Sequence, residues 1–207
     1  LMIVYLRCSY ISLNRWIILP PHIYLSGKNE NIILGNFIAD AVKGKAFEKY
    51  NEEIQYGIKL HREIDNFTDK HPVFKQSRNR LMSKYHKFSG VIVDMYYDHF
   101  LASNWSDYSD EKLEIFVSNA YKILKKNFLL LPTRYKRILP FMIGSNWLLN
   151  YSRFSNLQNN FENMAKRTSF ESGMEDAVTD LKKNYDLYLQ EFRTFFPEIV
   201  QYVSTRN

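Results

Sequence analysis

The feature that most constrains this chain is a set of residues between positions 54 and 69 that recur at helical spacing. Ile54 and Ile58 are followed, at steps of three and four, by His61, Asp65 and Asp69. A step of four residues turns an α-helix by only about 40° from the starting direction, so these side chains share one face. Titratable groups on an otherwise apolar face point inward, where charge is costly unless it is paired or bound to a cation. The segment therefore predicts a helix over about 51–69 that carries a functional site.

Composition and patterning favour a single all-α domain. The 207 residues include only seven glycines and six prolines, and no segment alternates polar and apolar residues between tight turns. Further helices are predicted at about 29–43, 73–86, 88–102, 110–128, 141–151, 156–167 and 173–196. Pro132 and Pro140 are expected to interrupt the chain before the 141–151 helix, and Pro197 to end the last one.

The compartment and the class of partner are constrained less tightly. The single cysteine, Cys8, fits a reducing cytoplasm. No apolar run approaches the ~18 to 20 residues that span a bilayer. The formal net charge of +6 indicates an acidic partner, which leaves nucleic acid, an anionic membrane surface and an acidic protein open.

A second group of ionisable residues falls on another predicted helix. Asp94, Asp98 and His99 follow the first group by about thirty residues, and His99 lies within the apolar stripe of that helix. Carboxylates and imidazoles that converge from separate helices suit a divalent metal ion. The candidate ligands are Asp40, His61, Asp65, Asp98 and His99. The competing interpretation is a set of buried ion pairs that only organise a helical core.

Several strings in the chain resemble the acyl carrier protein phosphodiesterase family, bacterial enzymes that remove the phosphopantetheine arm from acyl carrier protein. The main strings are His22-Ile-Tyr-Leu-Ser, Gly35-Asn36-Phe-Ile-Ala-Asp40 with Lys43-Gly44, Gly57-Ile-Lys-Leu-His61-Arg62-Glu-Ile-Asp65 with Phe67-Thr68-Asp69, and Asp94-Met-Tyr-Tyr-Asp98-His99-Phe100-Leu. Shorter matches are Trp105, the segment from Asn146-Trp147 to Tyr151, and Met164-Ala-Lys-Arg167. Their order and spacing, from residue 22 to about residue 200, are more specific than any one string.

The resemblance implies a helical bundle distantly like the HD phosphohydrolases, with a bound divalent metal for which Mn²⁺ or Mg²⁺ fits the oxygen-rich ligand set. It implies holo acyl carrier protein, an acidic protein, as the partner, and no nucleic acid. Metal ligands are expected at Asp40, His61, Asp65, Asp98 and His99, and catalytic groups at Asp69 and His22. Substrate contacts are expected at Asn36, Arg62, Arg134, Arg137 and Arg167.

The start of the chain departs from the family's pattern. Family chains begin only a few residues before the first histidine, whereas here Pro20 and Pro21 precede His22 after an extension. We therefore expect an atypical extension over 1–21 and one helical domain over 22–207. Two other functions remain open from the sequence: an HD-type phosphohydrolase acting on nucleotides or another small phosphodiester, and a non-enzymatic basic helical binding module.

Overall fold

The computed structural model describes residues 20–206, and all regular structure in that range is helical, with no β-strand. This confirms the predicted all-α class. The extension predicted over 1–21 lies outside the described residues, apart from Pro20 and Pro21. The α-helices are α1 Pro20–Leu25, α2 Glu30–Ile38, α3 Glu52–Lys70, α4 Pro72–Tyr85, α5 Ser89–Ser103, α6 Leu113–Lys126, α7 Thr133–Gly144, α8 Trp147–Asn150, α9 Phe154–Ala165, α10 Ala177–Lys183 and α11 Tyr185–Ser204. Short 3-10 turns cover Ala39–Ala41, Gly44–Lys49, His86–Phe88, Trp105–Asp107, Phe128–Leu130 and Met174–Asp176.

Local sequence signals set the starts of the helices around the site. The Asn29 side chain accepts hydrogen bonds from the backbone N–H groups of Asn31 and Ile32, at 2.9 and 3.3 Å, and so caps α2. Asn51 caps α3 in the same way by accepting from the Ile54 N–H at 2.8 Å. Such a cap satisfies backbone donors that have no partner inside the helix. Pro20 begins α1, where a proline loses no helical hydrogen bond.

Two glycines bring α2 and α3 into backbone contact. A Cβ atom added at Gly35 would lie 2.1 Å from the Ile54 carbonyl oxygen, and one added at Gly57 would lie 2.3 Å from the Ile32 carbonyl oxygen. Any larger residue at either position would therefore push the helices apart. This close approach places Asn36, the residue after Gly35, beside His61 on α3.

Helix α5 is the central helix of the core. Twelve of its fifteen residues are buried, and α4, α11 and α1 pack against it. Because it is covered on nearly all sides, its ionisable residues meet protein rather than solvent. Asp98 and His99 are both buried here, at 0% and 1% exposure.

Two helix boundaries that were predicted at prolines are wrong. Pro140 lies inside α7 and Pro197 inside α11, although each was expected to interrupt or end a helix. Both prolines are exposed, so each ring projects to solvent and water can satisfy the carbonyl four residues earlier. The predicted 173–196 helix is instead divided at Asn184, which has a non-helical backbone between α10 and α11.

Among residues 20–206, no helix has both the length and the apolar character needed to cross a membrane.

Candidate active site

Three of the predicted site residues, from α1 and α3, converge on one point. His22, His61 and Asp65 each offer one ligand atom, and these atoms lie within 4.8 Å of one another. The Nε2 atoms of His22 and His61 are each 3.5 Å from an oxygen of Asp65. Asp40, on the 3-10 turn after α2, places an oxygen 3.4 Å from the same His61 nitrogen. We call these four residues the donor group.

Asn36 fixes the orientation of both imidazoles through their Nδ1 atoms, on the side of each ring away from the carboxylates. Its Oδ1 lies 3.1 Å from Nδ1 of His22 and 2.9 Å from Nδ1 of His61. Its Nδ2 donates to the Ser26 hydroxyl at 2.9 Å and to the His22 carbonyl at 3.1 Å. Since the amide oxygen can only accept, both rings carry a proton on Nδ1, and in the neutral ring the Nε2 lone pair faces the carboxylates. A buried residue that holds ligand histidines in this way is the usual support of a metal site.

The geometry between the rings and the carboxylates is unfavourable unless a positive charge lies among them. The two rings stack with their centroids 4.2 Å apart and an angle of 24° between their planes, so two imidazolium ions here would repel each other. The separations of 3.4 to 3.5 Å between Nε2 and the oxygens are longer than the roughly 2.7 to 2.9 Å of a charge-assisted hydrogen bond. A nitrogen lone pair that faces a carboxylate is repulsive, and a shared cation would remove that repulsion.

Asp98 lies beside the donor group in a small cavity. The cavity holds about 40 Å³ and is lined by His22, Thr68, Asp94 and Asp98, with apolar walls from α1, α3 and α11. Neither carboxylate oxygen of Asp98 has a hydrogen-bond partner among the described residues. Burial raises the pKa of Asp98 well above its usual range, and the neighbouring Asp94 adds to the effect. A buried carboxylate without partners is stable only if it is protonated or bound to a cation.

His99 is not brought into the donor group. Its Nδ1 donates to the Tyr151 carbonyl at 2.8 Å, and its ring packs against Phe154 with 4.6 Å between centroids. Burial lowers the pKa of His99, which favours the neutral ring. Consecutive helical residues point about 100° apart, so Asp98 and His99 face different neighbours. The sequence placed both in one ligand set, whereas the structure places only Asp98 in the cavity beside His22.

The other predicted residues lie at varying distance from this centre. Asp69 is half-buried one turn beyond Asp65 on α3. The guanidinium of Arg62 donates to the Val42 carbonyl at 3.0 Å, two residues after Asp40. Arg134 is half-buried on α7, while Arg137 and Arg167 are exposed on α7 and just after α9. Asn36, expected as a substrate contact, is fully buried and makes the contacts of a residue that orients the imidazoles.

The roles of Asn36 and Asp94 were not predicted from the sequence, although signals for both exist. Asn36 is the one polar residue in the apolar run from Ile33 to Ile38, which marks a buried amide with specific partners. Asp94 precedes Asp98 by four residues, so both fall on one side of α5 and line the same cavity. The same spacing rule had already pointed to His61 and Asp65.

Comparison with known proteins identifies the family of this chain. A family model described as acyl carrier protein phosphodiesterase matches residues 21–199. A protein of that name from Pectobacterium atrosepticum is 26% identical over 187 residues, which is 90% of this chain and 97% of the relative. One from Photorhabdus laumondii is 25% identical over 90% of this chain and 94% of the relative, and one from Escherichia coli is 28% identical over 89% and 96%. No solved structure matches. The chain belongs to the acyl carrier protein phosphodiesterase family.

Proposed function

We propose that this protein is a divalent-cation-dependent phosphodiesterase that hydrolyses 4'-phosphopantetheine from holo acyl carrier protein and releases the apo carrier. The observation that carries the proposal is the donor group itself, in which two imidazoles with fixed tautomers face two carboxylates. The substrate comes from the names of the relatives, which are acyl carrier protein phosphodiesterases.

The donor group fits a divalent ion. Two ligand atoms that each lie about 2.1 Å from one ion are roughly 3.0 to 3.4 Å apart at octahedral or tetrahedral angles. The separations between Nε2 and oxygen in the donor group, 3.4 to 3.5 Å, are close to that range. Oxygen donors from Asp40 and Asp65, with Asp98 close by, favour Mn²⁺ or Mg²⁺.

His22, His61 and Asp65 would hold the ion, with Asp40 beside them and Asp98 in the cavity that His22 also lines. When bound, such an ion lowers the pKa of a coordinated water and neutralises charge on the phosphoryl oxygens. Hydrolysis forms a bond from the water oxygen to phosphorus and breaks the bond from phosphorus to the serine oxygen of the carrier, which leaves with a proton. His22 faces Asp65 through Nε2, so we assign it to the ligands and retain Asp69 for proton transfer.

The substrate contacts are assigned by position. Arg62 is tied to the segment that follows Asp40, so of the predicted arginines it is linked most directly to the donor group. We propose that it pairs with the phosphodiester, because a guanidinium matches phosphate geometry. Arg134, Arg137 and Arg167 lie on later elements and are proposed to contact the carrier rather than the reacting phosphate.

The test is incubation of the purified protein with holo acyl carrier protein and Mn²⁺, followed by mass spectrometry of the carrier. We expect the carrier to lose the mass of phosphopantetheine. Asp65→Asn should abolish the loss, whereas Glu63→Gln, on the exposed side of α3, should retain it. An intact carrier with cleavage of nucleotides would favour the small-substrate phosphohydrolase. No hydrolysis, together with salt-sensitive retention of oligonucleotides, would favour the binding module.

A further inference from the structure

Positive charge in this chain is concentrated in one segment. Residues 115–161 contain seven lysines and arginines and no aspartate or glutamate, while the whole chain has a net charge of +6. The rest of the chain is therefore close to neutral. Lys126 pairs with Glu30 at 2.6 Å, but Lys122, Lys125 and Arg137 form no ion pair within residues 20–206. A surface with several unneutralised cations attracts an acidic partner.

The same segment displays apolar side chains to solvent. The 3-10 turn Phe128–Leu130 connects α6 to α7, and its residues are 39%, 86% and 46% exposed in order. The ammonium group of Lys136 lies 6.0 Å from the centre of the Phe128 ring. Exposed apolar residues with a basic rim are typical of a binding surface. We call Lys125, Phe128, Leu129, Lys136 and Arg137 the basic apolar patch.

Hydrogen bonds and a buried leucine hold the Phe128–Leu130 turn in place. The Leu130 N–H donates to the Asn127 carbonyl at 3.0 Å, and the Asn127 side chain donates to the Ile123 carbonyl at 2.9 Å. Leu131, directly after the turn, is buried in the core at 2% exposure. Because these contacts hold the backbone, Leu129 is presented on a preformed base and loses little freedom on binding.

The patch lies on the same side of the fold as the start of α3. The Tyr50 hydroxyl reaches the Leu130 carbonyl at 3.5 Å, and Tyr50 directly precedes the residue that caps α3. His61 follows that cap by ten residues, which is about 15 Å along the helix. On either side of His61, Lys59 and Arg62 place their cationic groups 5.4 and 5.5 Å from the Phe47 ring. Cationic and apolar groups thus extend from the turn toward the donor group.

We propose that the basic apolar patch is where the carrier protein docks, and that the carrier face it meets presents carboxylates around an apolar side chain. This inference rests on the proposed function. A standard interface of about 800 Å² per partner is roughly 30 Å across, so a carrier with its phosphodiester at the donor group reaches the patch. Nucleic acid fits less well, since the most exposed side chain, Leu129, is aliphatic and Phe128, the one aromatic ring of the patch, is only 39% exposed, whereas nucleic acid stacks its bases on open aromatic faces. A membrane contact would not need to lie this close to the site.

The test measures docking separately from chemistry, by fluorescence anisotropy of labelled apo carrier and by KM and kcat on holo carrier. We expect Leu129→Ser and Arg137→Glu each to weaken carrier binding at least tenfold and to raise KM with little change in kcat. Matched controls are Leu187→Ser, an exposed apolar residue on α11, and Lys75→Glu, an exposed cation on α4. Both should bind as the parent does. Added salt should weaken binding by the parent more than binding by Arg137→Glu.

The outcomes distinguish this inference from the proposed function. If the parent binds the carrier through the patch but never releases phosphopantetheine, the docking surface stands and the proposed hydrolysis fails. If the parent hydrolyses the carrier and the patch variants match it in affinity and KM, the docking inference is overturned. The inference is also overturned if the parent sediments with vesicles of phosphatidylglycerol and phosphatidylcholine and the patch variants lose that sedimentation while they bind the carrier as the parent does. That result assigns the patch to an anionic lipid surface.

Discussion

Replacing Asn36 with alanine tests whether one buried amide prepares both histidines for a cation. The side chain makes four hydrogen bonds, at 2.9 to 3.1 Å, and is completely buried. A net contribution of about 1 kcal/mol for each bond gives a loss of roughly 2 to 4 kcal/mol in the free energy of unfolding, after partial rearrangement around Ser26. For a chain of this length that is a fall in Tm on the order of 10 °C.

The effect on cation binding should be larger than the loss of stability suggests. Without Asn36 the two rings can rotate or change tautomer, so Nε2 no longer points at the carboxylates. Loss of such a supporting residue costs about 10- to 100-fold in metal affinity. We expect isothermal titration with Mn²⁺ to show that decrease for Asn36→Ala, while thermal unfolding in EDTA reports the change in stability alone.

Two further variants sharpen the test. Asn36→Asp keeps an oxygen acceptor for both Nδ1–H groups but loses the donor to Ser26 and to the His22 carbonyl. It should therefore lose stability and hold Mn²⁺ within about threefold of the parent. Asn104→Ala removes a half-buried amide on the far end of α5 and should leave Mn²⁺ affinity unchanged. The reasoning fails if Asn36→Ala binds Mn²⁺ as the parent does, or if Asn36→Asp loses as much affinity as alanine.

Three more predictions follow from buried contacts. Burial raises the pKa of Asp98 in the folded state, so the native protein keeps a proton that the unfolded chain releases. The free energy of unfolding of the metal-free protein should therefore fall as pH rises above about 4. Asp98→Asn should remove that slope in EDTA between about pH 4 and pH 8 and raise Tm at pH 7. Gly57→Ala should cost roughly 3 kcal/mol in urea unfolding, because the added Cβ would meet the α2 backbone. Gly144→Ala should be nearly neutral, because the space around its added Cβ is open. Glu191→Gln leaves the mostly buried Arg80 without its carboxylate, so it should cost roughly 2 to 3 kcal/mol in urea unfolding. Its Mn²⁺ affinity should not change. An unchanged unfolding midpoint would contradict the role of this ion pair.

Local signals allowed much of the helical scaffold to be predicted from the sequence. Asn29 and Asn51 are side-chain caps whose effect reaches only three residues, so the starts of α2 and α3 were located to within a residue or two. His61 and Asp65 were grouped because four-residue spacing alone puts them on one face of a helix. Each of these inferences depends on neighbours within one turn of the chain.

The features of the fold and site that were not predicted depend on contacts between distant segments of the chain. Asn36 meets His61 only because Gly35 and Gly57 let two helix backbones touch, and spacing along the chain does not encode that approach. His99 shares the buried face of α5 with Asp98, but the Tyr151 carbonyl from a later segment occupies its Nδ1. Pro197 was expected to end a helix, yet its exposure in the packed structure lets α11 continue.

The most direct test of the central claim is anomalous diffraction at the manganese edge from crystals of the protein soaked with Mn²⁺. The donor group predicts an anomalous peak within about 2.3 Å of Nε2 of His22, Nε2 of His61 and an oxygen of Asp65. A peak elsewhere, or no peak at the donor group at saturating Mn²⁺, would contradict the account.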